Sequence, residues 1–275
     1  MDINDSLIAE LVTQATTFAK MAGELIRRNR PLLVEVAATK SSDVDPVTAM
    51  DRASEDLLVQ LIRAARPQDA ILGEEGGFLQ EGTSGLTWVI DPIDGTVNYL
   101  YGIHNYAVSV AVVSGPPNPA QWQVLAGAVH RVPDSITYSA GRGLGAERDG
   151  VPLQLGPGQP VALSLVGTGF GYDADRRRAQ GRVVAELLPQ VRDIRRLGSA
   201  ALDLCAIADG QLDIYYERGL QAWDMAAGML IAQEAGAQVG GLGAQVATSE
   251  LTIAAHPQVY GQFARILADL GADHD

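Results

Sequence analysis

Residues 71–152 are written in short β-rich runs, 87–90, 106–113, 124–129 and 136–139 among them, cut by clusters of glycine and proline. Asp149-Gly150 is a hairpin signal between two further short strands. After about residue 155 the rhythm changes, with strand patterns at 162–166, 193–196, 212–215 and 251–254 and helical patterns at 174–188, 199–208, 225–235 and 257–270. A chain that changes period in this way is expected to fold as an α+β lobe, residues 1–152, followed by an α/β lobe, residues 153–275. No internal repeat or low-complexity linker separates the two, so they are expected to share one continuous core.

Two helices precede the β-rich block. Leu7, Ile8, Leu11, Val12, Ala15, Phe18, Ala22, Leu25 and Ile26 recur at helical spacing before Pro31. A Ser- and Asp-rich loop, residues 40–46, leads to a second helix over 48–65, with Leu57, Leu58, Leu61 and Ile62 on its apolar face.

At 275 residues, 47% hydrophobic and 19% charged, the chain has ample material for a buried core. A formal net charge of -13 repels phosphate backbones, and Arg176-Arg177-Arg178 is one short basic patch, so nucleic acid is not expected as a general substrate. No apolar run approaches the roughly 20 residues a membrane span needs, and the acidic start Met1-Asp2-Ile3-Asn4-Asp5 lacks the features of a secretory signal. The expected location is the cytoplasm. The lone Cys205, in an apolar helical pattern, reads as a small core residue.

In Trp88-Val89-Ile90-Asp91-Pro92-Ile93-Asp94-Gly95-Thr96-Val97-Asn98-Tyr99 an apolar strand runs straight into two carboxylates three residues apart. Pro92 is expected to end the strand pairing between them. Asp91, the Ile93 carbonyl and Asp94 then converge, and hard oxygen ligands of this kind suit Mg²⁺. Gly95 and Thr96 are expected to open a helix whose first N–H groups face an anion. The bland reading is a strand-to-helix turn with Asp94 or Thr96 as its cap. Glu74 and Glu75, between Gly73 and Gly76-Gly77, read alone as an ordinary solvated turn, and Asp224 after Trp223 as a helix N-cap.

Taken together, Gly73-Glu74-Glu75, Asp91-Pro92-Ile93-Asp94-Gly95-Thr96 and Trp223-Asp224-Met225-Ala226-Ala227-Gly228, continued by Glu234-Ala235-Gly236, resemble the inositol monophosphatase family over nearly the whole chain. The resemblance implies a layered αβαβα fold and a lithium-sensitive, Mg²⁺-dependent phosphatase with two to three metal ions per active site. It implies that Glu74, Asp91, the Ile93 carbonyl, Asp94 and Asp224 hold the metals, and that Asp51 pairs with Thr96 to orient the attacking water. Asp51 otherwise reads as a favourable charge near a helix N-terminus. Lys40 corresponds to a family lysine near the active site; alone it is a solvated loop residue. Gly95 and Thr96 match positions that hold the phosphate, whereas Gly198, Ser199, Ala200 and Glu217, with Asp224, match positions that contact inositol hydroxyls.

Val97, Tyr99 and the Met50-Asp51-Arg52 context depart from the commoner family residues without removing a metal ligand. The implied substrate is a small phosphorylated polyol, inositol 1-phosphate. Fructose 1,6-bisphosphate, histidinol phosphate and a 3′-phosphonucleotide stand as alternatives with the same chemistry, and a regulatory binding protein that retains the fold as one of another class. Family members are commonly homodimers.

Overall fold

Asn4 starts the first helix, its side chain accepting the Leu7 N–H at 3.0 Å. The computed structural model describes residues 3–39, 46–243 and 245–274. Its first half runs α1 (Asp5–Asn29), β1 (Ala38–Thr39), β2 (Pro46–Val47), α2 (Ala49–Ala65), β3 (Ala70–Gly73), β4 (Gly77–Gln80), β5 (Leu86–Asp94), α3 (Thr96–Tyr101), β6 (Ala107–Ser114), β7 (Gln123–Arg131), β8 (Ile136–Gly141), β9 (Gly145–Arg148) and β10 (Val151–Leu153). The second half runs β11 (Leu165–Thr168), α4 (Ala174–Leu187), β12 (Asp193–Arg195), α5 (Ala200–Ala208), β13 (Ile214–Glu217), α6 (Ala222–Glu234), β14 (Gln238–Gly240), β15 (Thr252–Ala255) and α7 (Pro257–Asp269). Among the described residues no helix is long and apolar enough to cross a membrane.

Two large sheets organise these elements, beside a small antiparallel β1–β2 pair. The first has the order β10-β9-β8-β7-β6-β5-β3-β4 and is antiparallel except for the β3–β5 pair; the second has the order β12-β11-β13-β15-β14, with β12, β11 and β13 parallel. Strand alternation sends side chains to opposite faces and so stacks the layers. Trp88 and Ile90 of β5 pack with Leu11, Phe18, Leu58 and Ile62 of α1 and α2, while Val89 packs with Cys205 of α5 and Ala227 and Leu230 of α6. On the second sheet Tyr215 meets Leu204 and Met225 of α5 and α6, whereas Ile214 and Tyr216 meet Val183 of α4 and Phe263 and Leu267 of α7. The result is helix, sheet, helix, sheet, helix.

Because α5 and α6 are covered on both sides, their apolar residues do not form a single stripe. Close approach needs small residues there: a Cβ on Gly127 would lie 2.9 Å from the Cα of Ala227, and one on Gly228 would lie 2.8 Å from the Cβ of Leu204. Cys205 is buried in this layer, as its pattern suggests.

Several boundaries differ from the expectation. Pro92 does not end strand pairing: Asp91 pairs with Ser109 and Asp94 with Ala107, with a bulge between them that absorbs the proline. The second-lobe strand expected at 162–166 begins at Leu165, since Pro160 leads into a single 3₁₀ turn, Val161–Leu163. The strand expected at 212–215 is Ile214–Glu217, and the helix expected from 225 begins at Ala222. Asp224 is therefore the third residue of α6 rather than its N-cap. The short strands β4 and β14 carry too little periodicity to be read from the sequence. Lys40 lies outside the described residues.

Candidate active site

The site forms where chain ends from both sheets converge. β5 ends at Asp94, the β3–β4 turn carries Glu74, the first turn of α6 carries Asp224, and β11 and β13 bring Gly169 and Glu217 from their C-terminal ends. Ligand sites commonly occupy this end of parallel strands. All these residues line one cleft of about 440 Å³, together with Ile93, Gly95, Thr96, Gly198, Ser199 and Ala200. The structure thus brings together every site residue named from the sequence except Asp51, which lies just beneath, and Lys40.

Thr96 opens α3 after Gly95, whose φ of 95° places it in the left-handed region that glycine tolerates. A Cβ there would lie 3.0 Å from the Asn105 carbonyl oxygen and 3.1 Å from that of Gly198. The Thr96 hydroxyl lies 3.0 Å from Asp51 Oδ1 and 3.0 Å from the Ile93 carbonyl oxygen. Asp51 is buried and uses both oxygens: Oδ2 accepts the Thr48 N–H at 2.8 Å and the Thr48 hydroxyl in a capping box, leaving Oδ1 for Thr96. Asp51 thus lies in the first turn of α2 as a charge near a helix N-terminus and also accepts from Thr96. Burial raises the Asp51 carboxyl above its ordinary range, which makes it a better proton acceptor.

Asp94 is the joint between the two halves of the chain. Its Oδ2 accepts the Ser199 hydroxyl at 2.6 Å and the Ala201 N–H at 2.7 Å, both at the start of α5. Ser199 is 1% exposed and also caps α5, so its hydroxyl is engaged with Asp94 and the start of α5 at the wall of the cleft. Asn98 adds a second tie, donating through Nδ2 to the Asn105 carbonyl at 2.7 Å and the Leu197 carbonyl at 2.8 Å. The sequence offers no local signal for that role, because its partners lie in remote loops.

Burial dominates the electrostatics. It pushes the carboxyls of Asp91 and Asp224 well above the ordinary carboxylate range, with the nearby negative charges of Glu74 and Asp94 acting in the same direction. Asp94 rises to about 6, held from rising further by the donors of Ser199, Ala201 and Ala200 and by Arg196. Glu217 rises to about 7 through burial, opposed by the hydrogen bond from the Tyr215 hydroxyl, 2.7 Å from Oε2, and by Arg196.

The donor set fits a hard divalent cation: carboxylates and one backbone carbonyl, with no His or Cys lining the cleft. No group of three or more His, Cys, Asp or Glu side chains among the described residues is gathered tightly enough to hold a metal ion as it stands. Like charges in a desolvated cleft repel, and protein donors hold one oxygen each of Asp91, Asp94 and Asp224: the N–H groups of Ile93 and Gln221, at 3.0 and 2.7 Å, serve Asp91 and Asp224. The fit is therefore one of donor chemistry and of negative charge, which a cation would neutralise.

The inositol monophosphatase family model matches residues 8–272. The chain belongs to the inositol monophosphatase family. Among its relatives, the inositol-1-monophosphatase SuhB of Mycobacterium tuberculosis is 49% identical over 208 residues, covering 73% of this chain and 70% of that protein. The Nus factor SuhB of Pasteurella multocida is 36% identical over 245 residues, covering 88% and 89%. The solved structure of Mycobacterium tuberculosis SuhB superposes with a TM-score of 0.79 at 41% identity, covering 95% of this chain and 97% of that one. The layered fold is thus that of inositol monophosphatase structures, and the chain is an enzyme of a phosphatase family.

Within this inositol monophosphatase fold, three residues that the sequence reading left without a role stand out. Ser54 donates to the Pro92 carbonyl at 3.1 Å and so fixes the bulge between Asp91 and Asp94. Glu55 is buried beneath the turn that carries Glu74, accepting the Glu75 N–H at 3.0 Å, and a Cβ on Gly73 would lie 2.3 Å from its carboxylate. Arg196 lines the cleft. Only its place two residues before Gly198-Ser199 hinted at this.

Proposed function

We propose that the chain hydrolyses phosphate monoesters of myo-inositol, inositol 1-phosphate first among them, to inositol and inorganic phosphate, with Mg²⁺ as cofactor. The observation that carries this reading is the pairing, in one cleft, of four acids suited to divalent cations with a Glu217 carboxylate suited to hydroxyls. Glu74, Asp91, the Ile93 carbonyl, Asp94 and Asp224 would hold two to three Mg²⁺ ions. Bound there, Mg²⁺ supplies Lewis acidity that activates water and offsets charge on the phosphoryl group and the leaving alkoxide.

The protein's own groups do the rest. The Thr96 hydroxyl donates to Asp51 Oδ1, which leaves its lone pairs free to accept from the attacking water and orient it. Asp51 Oδ1 is the end point of the proton relay, and its desolvated setting favours taking that proton. The N–H groups of Gly95 and Thr96, at the start of α3, would hold a nonbridging phosphate oxygen. At the far end Glu217 Oε2 accepts from Tyr215 in the cleft wall, and Oε1 would accept from ring hydroxyls. Gly198 and Ala200 shape the wall between the two ends, and Lys40 is assigned to the neighbourhood of the site by family likeness alone. The same likeness carries the expectation of a cytoplasmic homodimer inhibited by lithium.

A panel of esters tests the substrate. Inositol 1-phosphate is expected to give the highest kcat/KM against fructose 1,6-bisphosphate, histidinol phosphate and a 3′-phosphonucleotide, and Glu217→Gln to lower it by about tenfold, mainly through KM. A clear preference for one of the other three would overturn the substrate and keep the reaction. A second reading, a regulatory binding role, is favoured by one observation, the Pasteurella multocida relative named a Nus factor. A cellular phenotype that survives Asp94→Asn unchanged would support it.

A further inference from the structure

Glu217 and Arg196 enter the same cleft from different strands, Glu217 as the last residue of β13 and Arg196 just past the end of β12. Each is seated over a glycine. A Cβ on Gly169 would lie 2.0–2.2 Å from the carboxylate atoms of Glu217, and one on Gly198 would lie 2.6 Å from Nη1 of Arg196. The two glycines clear the ground for two opposite charges in one cavity.

The charges do not quench each other. Glu217 is engaged through Oε2 by the Tyr215 hydroxyl, and Arg196 makes no hydrogen bond or ion pair with any described residue. The positive charge of Arg196 is nonetheless felt by Glu217 and Asp94. A carboxylate offers only acceptors and a guanidinium only donors. The space they share suits a group that donates to one and accepts from the other.

We propose that Arg196 is a specificity-determining residue, donating a hydrogen bond to a hydroxyl of the leaving polyol that itself donates to Oε1 of Glu217. This rests on the reading of the cleft as a polyol-phosphate site. A hydroxyl satisfies both partners. A second phosphate, with acceptors only, would satisfy Arg196 and be repelled by Glu217, and an apolar leaving group would leave both partners dry and unmatched. The pair therefore selects an uncharged polyol against both.

The test compares kcat/KM for inositol 1-phosphate and for phenyl phosphate, which lacks ring hydroxyls, using the full chain at saturating Mg²⁺. The variants are Arg196→Met, Arg196→Lys, Glu217→Gln and the double substitution Arg196→Met with Glu217→Gln. The preference for the inositol ester is expected to fall about tenfold in Arg196→Met, chiefly through KM, and to recover in part in Arg196→Lys, which keeps a donor. The double variant should lose less than the product of the two single losses, because both groups act on one hydroxyl. A preference that survives Arg196→Met, or single losses that multiply, would overturn the bridge and leave Arg196 acting only through its charge on Asp94. A wild-type protein with no preference for the inositol ester would overturn the substrate assignment and the bridge with it.

Discussion

Asp91→Asn is expected to lower ester hydrolysis by about three orders of magnitude and, at the same time, to raise the melting temperature of the metal-free protein. The first effect follows from losing a charged ligand at the centre of the proposed metal site, where electrostatic stabilisation of the transition state is concentrated. The second follows from burial. Asp91 is 1% exposed, and desolvation together with the charges of Glu74, Asp94 and Asp224 pushes its carboxyl well above the ordinary range. At neutral pH the folded protein must therefore either bind a proton or keep an unfavourable charge there, whereas an amide does neither. Asparagine keeps an oxygen able to accept the Ile93 N–H, so the bulge is preserved. An increase of roughly 5 °C is the expected scale, measured by thermal melts in EDTA. A lower melting temperature would show that Asp91 stabilises the metal-free fold, against the electrostatics described above.

The second large effect is the pH dependence of stability. Asp91, Asp94, Glu217 and Asp224 all titrate higher in the folded protein than at the ordinary 3.8 or 4.5. Acids raised in this way bind protons more tightly when folded, so stability is greatest below about pH 4 as far as these groups are concerned and is lost as pH rises. The loss from Asp94 is complete once pH passes about 6 and that from Glu217 once it passes about 7, while Asp91 and Asp224 extend it higher. Metal-free protein should accordingly melt lower at pH 8 than at pH 5. Saturating Mg²⁺ should raise the melting temperature more at pH 8 than at pH 5, because cation and protons compete for the same oxygens. Equal increments at both pH values would mean that Mg²⁺ does not bind these acids.

Much of this was legible in the sequence because it is written locally. The amphipathic periods of α1 and α2, the β-rich block and the later strand–helix alternation each follow from residues within one turn or one strand of each other, and the structure contains all of them. The acids were legible as motifs, and the cleft does bring Glu74, Asp91, Asp94 and Asp224 together. What escaped depends on distant partners. Pro92 reads as a strand terminator, yet β6 continues to pair across it through a bulge fixed by Ser54. Ser199 lines the cleft, but the tie of its hydroxyl to Asp94, more than a hundred positions away in the chain, has no local signal. Asp224 reads as a cap only because the true start of α6, Gln221-Ala222, carries no strong capping signal; its carboxylate instead reaches back to the Gln221 N–H at 2.7 Å. The seats of Glu217 and Arg196 over Gly169 and Gly198 need three-dimensional contacts that no period records.

The measurement that bears most directly on the central proposal is the rate of phosphate release from inositol 1-phosphate as Mg²⁺ is titrated into protein stripped with EDTA. The expected result is no release without Mg²⁺, a saturable rise as it is added, and no rise in Asp91→Asn. Release at the same rate in EDTA, or a full Mg²⁺ response in Asp91→Asn, would contradict a phosphatase whose metal site is built from these four acids.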